Sequence, residues 1–189
     1  MSKVMWKPGT FEYPIPAVMV SCGTMEESNI ITVAWTGIIN SKPPMVYISV
    51  RPERHSSNIL KETKEFVINL TNEKLAYATD WCGVKSGKDV DKFKEMKLTK
   101  EKANIVNCPM IVESPVSIEC KVKEIRGLGS HDMFIAEVVA IDADEKYFDK
   151  NGAFDISKCN LIAYANGGYY KLGEKLGKFG YSVQKKKKK

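Results

Sequence analysis

The sequence predicts a mainly β chain with inserted helices, closed as a Greek-key β-barrel. Three observations carry this. Seven or so segments are short, rich in β-branched residues and bounded by turn residues, as strands are. Helical spacing comes singly, not after every strand, so a doubly wound parallel sheet does not fit. No glycine-rich dinucleotide fingerprint follows the first strand. At 189 residues, 43% of them hydrophobic, the chain has the size of one domain with a full core. Residues 1–184 are read as that domain.

The elements follow in order. Pro14 and Pro16 lead into a strand at 17–22, and the polar stretch 23–28 is a turn. A second strand is expected at 30–35, inside "NIITVAWTGIINSKPP", which Gly37 and Pro43-Pro44 would end. A third spans 45–50. Ser56 or Ser57 should cap a helix running to Lys64, with Ile59 and Leu60 inward. Strand four is 65–70, and Thr71 or Asn72 should cap a helix reaching about Trp81. Residues 85–89 form a glycine-containing loop, and Val90, Phe93 and Met96 stand at the spacing of a short helix. A short apolar stretch, 111–113, follows Pro109. Val116, Ile118, Cys120 and Val122 alternate with polar residues as a half-buried antiparallel strand does. A loop at 127–132 precedes a last long strand at 133–141. The remainder reads as irregular up to Tyr164.

Charge and composition narrow the function. The net charge of +6 owes most of its excess to five consecutive lysines, residues 185–189. The body is close to neutral, which argues against nucleic acid. The run itself is expected to be a solvated, disordered tail, with weak affinity for polyanions as the alternative. No apolar run is long enough to span a membrane and no secretory h-region opens the chain, so a cytoplasmic protein is expected. Cys22, Cys82, Cys108, Cys120 and Cys159 lack zinc spacing and read as reduced, mostly buried thiols. Cys82 stands out because it adjoins Gly83 in a polar stretch. No metal site is expected.

Four stretches carry candidate chemistry. Residues 49–59 place Arg51, Arg54, His55, Ser56 and Ser57 between a strand end and a helix start. Free N–H groups, hydroxyls and guanidinium forks there suit a phosphate. On a regular strand Thr32, Ala34 and Thr36 would share one face, and their small side chains would let a flat heterocycle lie close to the backbone. The run from Cys82 to Phe93 combines a close-approach loop, Ser86 and Gly87, with Lys92. His131 follows a glycine loop at the mouth of a strand. Each stretch alone is compatible with capping, a kinked edge strand or a surface loop.

In series they form a pattern: Asn-x-x-Thr-x-Ala-Trp-Thr-Gly from Asn29, Ser-Val-Arg-Pro-x-Arg-x-Ser from Ser49, Asn69-Leu70, the Cys82–Phe93 run, and Gly-x-His-Asp-x-Phe from Gly129. This order resembles the flavin reductase-like family over roughly residues 12–175, and most closely its flavoredoxin branch. The resemblance implies a split β-barrel that binds FMN and forms a homodimer. It implies that Asn29, Thr32, Ala34, Trp35 and Thr36 line the isoalloxazine, that Arg51, Arg54 and Ser56 hold the phosphate and ribityl chain, and that Ser86, Gly87 and Lys92 close on the cofactor. His131 would be the catalytic histidine near the flavin or nicotinamide. Where many members carry Gly-Asp-His, this chain has Gly129-Ser130-His131, without the acid that would orient the imidazole. The C-terminal segment, with Tyr169 and Tyr170, resembles an arm that packs across the dimer.

Two functional classes follow from the resemblance. One is electron transfer with a redox protein partner such as a ferredoxin, docking on Lys85, Lys88 and Lys92. The other is an NAD(P)H-dependent flavin reductase. A non-redox binding module for a polyanion is a third possibility, but apart from the tail no strand interleaves aromatic and basic residues as that would require.

Overall fold

The computed structural model describes residues 1–184. The lysine run at 185–189, expected to be a disordered tail, lies outside the described residues. Two strands open the chain, β1 (Ile15–Pro16) and β2 (Val18–Gly23), followed by β3 (Ser28–Val33), β4 (Thr36–Ser41) and β5 (Pro44–Val50). Helix α1 (His55–Thr63) and strand β6 (Glu65–Leu70) come next, then α2 (Ala76–Val84), α3 (Lys92–Glu95), β7 (Lys100–Lys102) and β8 (Pro109–Ile111). Long strands β9 (Val116–Gly127) and β10 (Asp132–Ala143) follow, and β11 (Ile162–Ala165) and β12 (Gly168–Lys171) close the fold.

Seven strands form one antiparallel sheet in the order β3-β2-β6-β9-β10-β5-β4. Its two edge strands, β3 and β4, are neighbours in the chain, joined only by Ala34 and Trp35. That short link forces the sheet to curl, and the Ser49 N–H donates to the Trp35 carbonyl at 2.8 Å, carrying the β4–β5 ladder up to the link. The result is a split β-barrel, as expected.

The apolar pattern explains the curl. Val18, Val20, Ile31, Val33, Val46, Ile48, Val50, Phe66, Ile68 and Phe134 point inward and fill the barrel. The opposite faces of β2 and β3 are apolar too: Met19 and Ile30 pack against Leu75, Ala78 and Cys82 of the α2 region and Phe93 of α3. Strands covered on both faces read as unbroken apolar runs. Asn69 is one of several buried polar residues. Its amide donates to the Met19 carbonyl and Ser21 Oγ and accepts from the Ile111 N–H and Ser117 Oγ, at 2.9–3.1 Å. It ties four strands together, and buried polar groups persist when so satisfied.

Several expectations change in detail. The strand expected at 30–35 ends at Val33, so Thr32, Ala34 and Thr36 do not share a face. Instead β4, unforeseen, begins at Thr36. Ser56 and Ser57 do not cap α1. They lie inside it, buried, and Arg54 takes the cap position with no side-chain bond. Asn72 does cap as expected, accepting from the Lys74 and Leu75 N–H groups of a 3₁₀ turn that leads into α2. The region after β10 is not wholly irregular. It holds β11 and, with β1 and β12, a separate three-stranded sheet. Among the described residues no helix is long and apolar enough to cross a membrane.

Candidate functional site

A cavity of about 230 Å³ opens where α1 begins. One wall is the start of that helix, Arg54 to Ser56. Helix α1 has no side-chain cap and no acidic residue in its first turn, so its orphan N–H groups and partial positive charge favour an anion. The facing wall is the loop after α2, with Lys85, Ser86 and Gly87. Gly87 lies so close to Asn29 that a Cβ there would come within 2.2 Å of the amide oxygen. Asn29 in turn donates to Ser56 Oγ at 2.8 Å, linking loop, β3 and helix.

Lys92 completes the floor. It is only 4% exposed, yet its ammonium meets no carboxylate within 4 Å among the described residues. Nζ donates to the Ile30 and Cys82 carbonyls, each at 2.7 Å. An ammonium has three donors, so one is left for a ligand. Burial holds this ammonium below the usual lysine range; the Cys82 thiol opposes that and the Arg54 guanidinium adds to it. Cys82 itself is fully buried, and burial pushes its thiol up to about 11 against the pull of Lys92. It is a neutral wall group, not a nucleophile.

A second, larger cleft of about 720 Å³ lies beside the turn from β3 to β4. Ala34, Trp35, Thr36 and Gly37 form one side, with Tyr47 and Ser49 behind. The N-terminal residues 9–13 form the other side. Thr36 Oγ1 donates to the Tyr47 carbonyl at 2.7 Å, fixing the first turn of β4. The Trp35 indole packs against the His131 ring, centroids 4.3 Å apart and planes tilted by 39°. Ser130 Oγ lies 3.0 Å from His131 Nδ1, in the place of an orienting acid. Burial lowers the histidine pKa, Arg51 lowers it further and Glu53 opposes, so the imidazole is neutral at neutral pH.

The structure thus gathers Asn29, Arg54, Ser56, Ser86, Gly87 and Lys92 in one cavity. It gathers Ala34, Trp35 and Thr36 in the other, with His131 packed against Trp35. Arg51 stands outside both walls, paired with Glu53 at 3.5 Å. Thr32 turns away from both, donating to the Thr79 carbonyl of α2 and packing on Gly83. Lys85 and Lys88 are exposed, but Lys92 is buried and cannot serve a docking face. Sequence reasoning missed Lys85 as a wall residue, Tyr47 and the N-terminal segment. The crowding of Trp6, Phe11 and Tyr13 into a stretch with no strand pattern was the available signal for the last.

The model of the flavin reductase like domain matches residues 10–173. The chain belongs to the flavin reductase-like family. An uncharacterised protein of Pyrococcus abyssi is 28% identical over 154 residues, 82% of this chain and 87% of that protein. Flavoredoxin of Desulfovibrio vulgaris (Miyazaki F) superposes with a TM-score of 0.89 at 28% identity, over 97% of this chain and all of the other. Flavoredoxin of Methanosarcina acetivorans gives 0.87 at 25%, with the same coverage. In this flavin reductase-like chain the small cavity suits an anionic group. The larger cleft falls within the span of small-molecule sites, roughly 300–1,000 Å³, and suits a planar ring.

Proposed function

We propose that this chain binds FMN and works as a flavoredoxin-type electron carrier. The carrying observation is Lys92: a buried ammonium that, among the described residues, has a free donor and no carboxylate, at an uncapped helix start. An isolated buried charge is costly unless a counter-ion arrives. A phosphate monoester supplies one, and Arg54, Lys85 and Ser86 stand around it. Ala34, Trp35 and Thr36 would flank the ring. FMN, when bound, supplies the electron chemistry, and the protein's part is to bind, orient and shield it. The small cavity has room for one phosphate group rather than a dinucleotide, which favours FMN over FAD.

For the carrier, exposed Lys85 and Lys88 beside the site offer a docking face to an acidic redox protein, a ferredoxin among them. A specific observation keeps a second reading, NAD(P)H-dependent flavin reductase. His131 packs against Trp35 at the cleft, where a nicotinamide would approach. Purified protein should be yellow and release FMN, not FAD, on denaturation. Anaerobic stopped-flow should show slow bleaching by NADH or NADPH and faster bleaching by reduced ferredoxin, slowing as salt rises. Rapid saturable reduction by a pyridine nucleotide, lost in His131→Ala, would assign the reductase instead.

A further inference from the structure

The larger cleft has one wall that is not part of the barrel. Residues 9–13 line it opposite Ala34–Gly37. Among the described residues, residues 1–14 make no backbone hydrogen bond; the ladder begins with Ile15 opposite Tyr164. What holds the segment is a series of edge-to-face ring pairs. Trp6 meets Phe11 at 5.2 Å, Phe11 meets Tyr13 at 5.5 Å, and Tyr13 meets Tyr164 at 6.1 Å. The series ends firmly: Tyr164 packs on Tyr169 at 5.5 Å, and the Tyr169 hydroxyl donates to Asp80 of α2 at 3.2 Å. Its outer end is loose, with Trp6 69% and Phe11 58% exposed.

The base and the tip therefore differ. Proline-flanked β1 is paired to β11, so the base is fixed. Gly9 has nothing within 4 Å of where a Cβ would stand, so the chain there is free to turn. Across the cleft an aromatic ring backs the wall. Gly37 leaves room for the Tyr47 ring, whose edge lies 3.0 Å from the place of a Cβ. A slot backed by the Tyr47 ring, with one wall held by ring pairs, admits planar ligands when that wall moves.

We propose that residues 1–14 are a movable strap and that Phe11 gates the access of planar aromatic rings to this cleft. The inference rests on the reading that a flavin ring is one such ligand, though the strap can be tested apart from it. Stopped-flow association and dissociation would be followed with two probes, FMN by flavin fluorescence and 1-anilinonaphthalene-8-sulfonate by its fluorescence gain. Phe11→Ala, and independently Trp6→Ala, should raise both rates of both probes by about tenfold, the scale of removing one or two aromatic pair interactions. Equilibrium affinity should move less than the rates. Unchanged rates would overturn the proposal. So would a rise in dissociation alone with matching loss of affinity, which is the mark of a fixed contact. Failure of both probes to bind the unaltered protein would also overturn it. Faster exchange of the dye with no FMN binding to any form would keep the strap and remove the FMN reading.

Discussion

Lys92 concentrates at one atom the conflict between folding and ligand binding. Without an anion its charge is a liability, but Lys92→Met also strips the Ile30 and Cys82 carbonyls of their donor, so the melting temperature of the flavin-free protein should change little. FMN affinity should fall by about 1.5–3 kcal/mol, the range for a hydrogen bond to a charged group. The ammonium pKa is lowered in the fold. FMN affinity should therefore weaken as pH rises through that lowered value, and titrations of Lys92→Met should lose this slope. A second buried charge works differently. Glu119 of β9 is fully buried and accepts from the N–H groups of Asn104, Ile105 and Val106 at 2.7–2.8 Å. Burial opposes its charge, but these bonds outweigh it and hold the carboxyl below the usual range. Its contribution to stability is present above the ordinary carboxylate pKa and lost as pH falls through the lowered one. Beside it Asp142 of β10 is raised by burial, by its hydrogen bond to Glu119 and by that group's charge. Asp142 therefore stabilises below the ordinary value and less as pH rises through its own. Asp142→Asn should gain in melting temperature over the unaltered protein from about pH 4 upward. Glu119→Gln should lose about 1–3 kcal/mol at neutral pH, in chemical denaturation, from orphaned N–H groups.

Among the elements, the loop at 85–89 shows how a glycine sets a cavity wall. Its close approach to the Asn29 amide leaves no room for a methyl group at Gly87. Gly87→Ala should push the loop off β3, disturb the Asn29–Ser56 bond and weaken FMN at least tenfold in fluorescence titration. The elements also show what the sequence made legible. Strands β2, β5, β6 and β10 and the Asn72 cap followed from β-branched runs and a capping amide, both local signals. The break at Ala34-Trp35 did not, because "TVAW" has no turn residue and the chain bends there only to close the barrel. Likewise Ser56 and Ser57 have the chemistry of caps, but α1 starts earlier and uses them as buried side chains. Asn29, Ser86, Gly87 and Lys92 could be named from motif order. Their meeting in one cavity depends on pairings between distant segments, and Thr32's turn toward α2 depends on the same packing.

For the whole molecule, the barrel leaves one edge uncovered. Ile38 is 85% exposed and Ile39 45% on edge strand β4, and Leu176 and Phe179 of the C-terminal segment are almost wholly in water. Unpaired apolar edges are liabilities that assembly removes, and a two-fold contact is the commonest solution. Light scattering should give the mass of a homodimer. Ile38→Lys should shift it toward the monomer at micromolar concentration, with the far-ultraviolet spectrum of the barrel retained. The terminal lysine run has its own check. Removing residues 185–189 should leave FMN affinity unchanged in fluorescence titration, since every motif that lines the two cavities lies elsewhere in the sequence.

The two-residue connection between the outermost strands also acts as a ruler. Asn29 and Ile31 border the anion cavity, and Trp35 and Thr36 border the cleft, so the span between the two is set by the few residues from Ile31 through the bend at Ala34-Trp35. On the FMN reading, a ligand reaching both cavities would be measured end to end, and both ends would register only when its linker has the right reach. Inserting one glycine between Ala34 and Trp35 would lengthen the ruler by up to about 3.3 Å without touching any strand ladder. Circular dichroism should show the barrel intact and inorganic phosphate should bind as before. If FMN spans both cavities as proposed, it should bind at least tenfold more weakly, with riboflavin little affected.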